Sequence, residues 1–129
     1  MKRSTAGKGP GRYADARGEG AGTDLHGSVS DRDIYLRAID RLGRESQADA
    51  VIEEAAELIF AIIKHKRAAA AGAFAGERLD AVIEEIADMQ IALDQAKLIY
   101  CGTSPDAAAA FEDVRQRKLA KLAARLEMD

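Results

Sequence analysis

A chain of 129 residues holds one small domain and leaves no room for a second catalytic one. Its 22 acidic and 19 basic residues give a formal net charge of -3, too little basic field to neutralise a phosphate backbone, so nucleic-acid binding is not expected. The single cysteine, Cys101, excludes an internal disulfide and fits a reducing, cytoplasmic setting.

In chain order, Met1-Lys2-Arg3 is followed by Ser, Gly, Lys and Pro rather than an apolar run, so no secretory signal is expected. Seven of the eleven glycines, with Pro10, fall in residues 1–30. Such a stretch buries too little surface to offset its ordering entropy and reads as a flexible Gly-rich tail, with the folded domain in residues 31–129. The tail carries five basic and three acidic residues, a net +2 that leaves -5 for the body. Gly7-Lys8-Gly9 is not a phosphate loop, because no Ser or Thr follows the lysine and no strand precedes it.

From Asp31 onward apolar residues recur at helical spacing. Ile34, Tyr35, Ala38, Ile39 and Leu42 mark one face of a first helix that ends near Gly43. A second helix, capped at Ser46, carries Val51, Ile52, Ala55, Leu58, Ile59, Ile62 and Ile63 to about Ala71, where Gly72 to Gly76 break the pattern. Leu79, Val82, Ile83, Ile86, Met89 and Leu93 define a third helix closing at Gly102. Ser104-Pro105 then opens a fourth, with Phe111, Val114, Leu119, Leu122 and Leu126 as its stripe. No strand-like alternation occurs, so the class is all-α, a four-helix bundle. The apolar runs at 55–63 and 68–74 are too short to span a membrane or too rich in Ala and Gly. The middle helices also carry Phe60, Ile91, Leu98 and Ile99 off their main faces, more than one stripe requires, which points to a homo-oligomer.

The informative feature is a repeated acidic cluster: Glu53-Glu54-Ala55-Ala56-Glu57 on the second helix and Glu84-Glu85-Ile86-Ala87-Asp88 on the third. Residues three apart share a helix face, so Glu54 with Glu57 and Glu85 with Asp88 each point two carboxylates the same way. On antiparallel helices the pairs converge into a four-carboxylate site of the kind hard cations such as Mg²⁺ prefer. Solvated surface acids are the plainer alternative, but alanines and isoleucine fill the gaps, few basic partners stand four residues on, and the spacing occurs twice. A di-iron site would need Glu-x-x-His pairs, and neither His26 nor His65 follows a glutamate by three.

These motifs resemble the all-α nucleoside triphosphate pyrophosphohydrolases, the MazG-like and dimeric dUTPase-like enzymes, whose signature is E-x-x-E, a spacer, then E-x-x-D. Glu54-Ala55-Ala56-Glu57 and Glu85-Ile86-Ala87-Asp88 match it, and Gly43 to Gln47, Ile91 to Tyr100 and the Lys-rich last helix are also similar, so the resemblance covers roughly residues 31–128. It implies a MazG-like bundle in which Glu54, Glu57, Glu85 and Asp88 hold Mg²⁺, or Mn²⁺, against a triphosphate. It implies too that the chain converts a nucleoside triphosphate to the monophosphate and pyrophosphate, as in nucleotide-pool house-cleaning. Glu53, beside the motif, is a candidate base for the attacking water alongside Glu54, although about 100° of helix rotation separates the two. Gln47, Lys118 and Lys121 are candidate substrate contacts, with Gln95, Lys64, His65 and Arg125 as further polar candidates. A homodimer or homotetramer is expected. Competing readings are a non-catalytic helical adaptor and a nucleotide sensor without turnover.

Overall fold

The computed structural model describes residues 28–72 and 76–127, and the Gly-rich stretch through residue 27 lies outside them. Four helices follow one another: α1 (Asp31–Leu42), α2 (Arg44–Ala70), α3 (Gly76–Tyr100) and α4 (Pro105–Arg125), with no strand among the described residues. Helix α1 begins at a capping box. The Ser30 hydroxyl accepts from the Asp33 backbone N–H at 3.2 Å, and the Asp33 carboxylate accepts in return from Ser30. These bonds, with help from Arg37 and Arg32, hold the Asp33 carboxyl below its ordinary range.

Helix α2 starts at Arg44, three residues before a cap at Ser46 would begin it. Gly43 closes α1 and opens α2 at once: its N–H donates to Ile39 O, its carbonyl accepts from Gln47 N, and its φ of 97° is open to glycine at little cost. Ser46 therefore lies inside the helix rather than capping it. Helix α3 likewise starts at Gly76, before the apolar pattern becomes visible at Leu79, because a first helical turn need not be buried. Helix α4 begins as its sequence suggests, with the Ser104 hydroxyl accepting from Ala107 N–H and Pro105 in the first turn.

The structure rests on the antiparallel pair α2 and α3, with α1 packed against both. Their seam is made of small side chains: Ala61 and Ala92 are buried along it, with Ile99 near one end. That end is tied by Arg44, whose guanidinium donates to Ile99 O at 2.8 Å, satisfying one of the carbonyls left over where α3 finishes. Arg32 at the start of α1 donates to Thr103 O at 2.7 Å in the link to α4. Helix α4 itself brings no Cα within 8 Å of another helix and meets α3 through side chains, with Lys97 Nζ 4.4 Å from the centre of the Phe111 ring.

Large apolar residues remain in solvent. Ile52, Ile59 and Ile63 on α2, and Leu79, Ile83 and Ile86 on α3, are exposed and stand on the helix faces turned away from the seam. No described helix is long and apolar enough to cross a membrane. Ala92, 3% exposed, is the tightest position of the seam. Ala92→Leu should destabilise the domain by about 1–3 kcal/mol. Thermal melts followed by circular dichroism should show Tm falling by at least roughly 4 °C, whereas Ala109→Leu on the exposed side of α4 should leave it unchanged.

Candidate metal centre

Motif spacing and helix direction together bring the acids to one place. Glu57 stands three residues after Glu54, and Glu85 three residues before Asp88. On antiparallel helices these steps run the same way, so Glu54 sits opposite Asp88 and Glu57 opposite Glu85. One carboxylate oxygen from each of Glu54, Glu85 and Asp88 lies within 4.8 Å of the other two. Glu57 stands outside that trio, and its carboxyl is within hydrogen-bonding reach of Glu85.

Glu54 and Glu85 are half-buried, Glu57 and Asp88 exposed. Oε2 of Glu54 and Oε2 of Glu85 are shut off from solvent and find no hydrogen-bond partner. Desolvation pushes both carboxyls above the ordinary glutamate range. Repulsion adds to it: Glu57, Asp88 and Glu53 act on Glu54, while Glu57, Asp88 and Glu54 act on Glu85. No cation relieves the cluster, for the one ion pair among the described residues joins Glu112 and Arg115 on α4.

A shared hard cation fits this donor set. Adjacent ligands on Mg²⁺ are about 3 Å apart and opposite ones about 4.2 Å, so the trio would need to close by up to about 2 Å to share the ion, and the two orphaned oxygens would gain the partner they lack. Glu54, Glu85 and Asp88 would hold the ion, with Glu57 at their edge.

The other sequence candidates are placed less directly. Glu53 is exposed and bears on Glu54 through charge alone. Gln47 is buried in the seam, two turns of α2 before Glu54. Gln95 is buried at the matching position, two turns of α3 beyond Asp88, with its Oε1 unpartnered. Lys118 and Lys121 are exposed on the half of α4 farthest from Ser104, and among the described residues neither shares a cavity with the carboxylates. Lys64 does, together with Arg78 of α3, which the apolar pattern did not single out. The available signal was spacing: Lys64 follows Glu57 by two turns and Arg78 precedes Glu85 by the same two turns.

Comparison with protein-family models, with curated proteins and with solved structures found no match.

The raised carboxyls have a definite sign. Between the ordinary glutamate value and the raised one, the folded chain holds protons that the unfolded chain has released, so metal-free stability is greatest at the acid side and declines as pH rises. In EDTA, the Tm of the wild type minus that of the Glu54→Gln/Glu85→Gln double variant should fall as pH is raised toward neutrality. At neutral pH, Mn²⁺ should raise the wild-type Tm and leave the double variant unmoved. A pH-independent difference would show that the two carboxyls are not held together.

Proposed function

We propose that the chain is a Mg²⁺-dependent nucleoside triphosphate pyrophosphohydrolase, and the observation that carries the reading is the convergence of Glu54, Glu85 and Asp88 with two buried, unpartnered oxygens. Stability alone does not favour such an arrangement, since half-buried anions without cations oppose folding. Surface acids that merely solubilise a helix spread outward, whereas Glu54 and Glu85 are half-buried, each with one oxygen shut off from solvent.

When bound, Mg²⁺ neutralises phosphate charge, polarises the phosphoryl group and makes water a stronger nucleophile. In the reaction, the oxygen of one water bonds to the α-phosphorus, the bond from that phosphorus to the bridging oxygen breaks, and pyrophosphate leaves with the bond's electron pair. The chain's part is to fix the ion and accept the water's proton. Glu54, Glu85 and Asp88 serve the first task. Glu53 and Glu57, the carboxylates beside the trio, are those available for the second. The resemblance of both acidic motifs to the MazG-like signature supports the same reaction class.

The exposed isoleucines of α2 and α3 support a homo-oligomer. Each such side chain gains about 1.5–3 kcal/mol on full burial, and a second copy presents the same apolar faces. Sedimentation equilibrium should give a mass above that of one chain, and Ile59→Glu should lower it.

With Mg²⁺, the purified protein should release pyrophosphate from at least one member of a panel of ordinary and modified nucleoside triphosphates. Glu54→Gln and Asp88→Asn should each cut that release by at least about a hundredfold while leaving the helical circular dichroism intact. Absence of release across the whole panel, together with no carboxylate-dependent heat on titration with Mn²⁺, would instead identify a non-catalytic helical protein.

A further inference from the structure

The layers of the α2–α3 seam continue past the acids. One turn beyond the Glu57 and Glu85 layer, Ala61 of α2 stands opposite Ala81 of α3; one turn further, Lys64 stands opposite Arg78. All six residues line one cavity of about 180 Å³. Its floor is two alanines, its near end two carboxylates, and its far end two cations about 10 Å along the helix axes.

Opposite charges that share a cavity ordinarily close on one another. Here they do not: neither Lys64 nor Arg78 makes an ion pair among the described residues. Lys64 is instead held over the Phe60 ring, its Nζ 4.2 Å from the ring centre. Arg78 occupies the first turn of α3, where the helix dipole disfavours a cation and favours an anion. Two positive side chains thus line a gap that the small Ala61 and Ala81 side chains leave open.

We propose that this cavity is a subsite for inorganic pyrophosphate and for the corresponding two terminal phosphates of a substrate, with Arg78 and Lys64 as its ligands. This rests on the metal-centre reading above, because a polyanion approaches Glu57 and Glu85 only once an ion neutralises them. The polarity then follows from the order of layers. The scissile phosphorus lies at the acids, the leaving group extends toward Lys64 and Arg78, and the nucleoside points the opposite way along the seam. Arg78 offers a planar fork to phosphate oxygens and Lys64 a point charge. Together they stabilise the charge that builds on the leaving group as its bond to phosphorus breaks.

The test is calorimetric titration of the full chain with inorganic pyrophosphate in the presence of Mg²⁺, alongside a separate titration with Mn²⁺ alone. Arg78→Ala and Lys64→Gln should each weaken pyrophosphate binding at least tenfold while Mn²⁺ affinity stays within twofold of wild type. Ala81→Leu, which fills the floor without altering a charge, should weaken it as well, and Arg78→Lys should restore part of what Arg78→Ala loses. Circular dichroism melts of each variant establish that it folds. Pyrophosphate binding that is equally tight in Arg78→Ala, Lys64→Gln and wild type would overturn the subsite and leave the metal centre standing. Failure of the wild type to bind Mn²⁺ at all would overturn both.

Discussion

The α2–α3 seam answers to one electrostatic constraint: carboxylates from two helices are held close together, partly out of water, with no ion pair to a cation among the described residues. Carboxylates in such a position either take up protons or share a metal ion. Alanines along the seam impose the constraint, since they let the helix axes approach and leave nothing bulky to keep the acids apart. Apolar burial among the described residues is meanwhile thin, amounting to Ala61, Ala92 and Ile99, so little excess stability offsets the repulsion. A dication at the trio would relieve both difficulties, serving as a chemical group and as a cross-link between α2 and α3.

The seam also gives the molecule a direction. A layer of buried glutamines, two layers of acids, a layer of alanines and a layer of cations succeed one another at matched positions on the two helices. Each layer is a pair that neither helix forms alone. An elongated, highly charged molecule laid along this track would meet different chemistry at each end, as the proposed reaction, which separates two unequal products, would require.

Much of this was legible in the residues, and the limits follow from which interactions are local. Helix number and class were visible because Ile34 to Leu42, Val51 to Ile63, Leu79 to Leu93 and Phe111 to Leu126 repeat at helical spacing, and the Ser104-Pro105 start carries its own chemistry. The start of α2 was not, because Gly43 acts through its backbone and Ser46 offered a more familiar side-chain signal. The meeting of Glu54, Glu85 and Asp88 followed from motif spacing plus an antiparallel turn. That Glu57 stands slightly aside did not, since sub-turn offsets depend on how closely alanines let the helices pack. Arg78 was overlooked for a related reason: a charged residue in the first turn of a helix looks like solvated surface until the residue across the seam is known. The separation of α4 from the other helices is equally invisible in its apolar stripe, which records that the helix has a face to bury and not where that face goes.

The layered seam has a consequence for how such a chain tolerates change. Replacing one side chain alters one rung. Adding or deleting a single residue inside α2 or α3 turns every later position by about 100° and shifts it along the axis, so glutamines, acids and cations lose their counterparts together. Gly72, in the connection between the two helices, carries no rung. Variation in natural copies of this chain should therefore concentrate in that connection, with the spacing from Gln47 to Lys64 and from Arg78 to Gln95 kept whole.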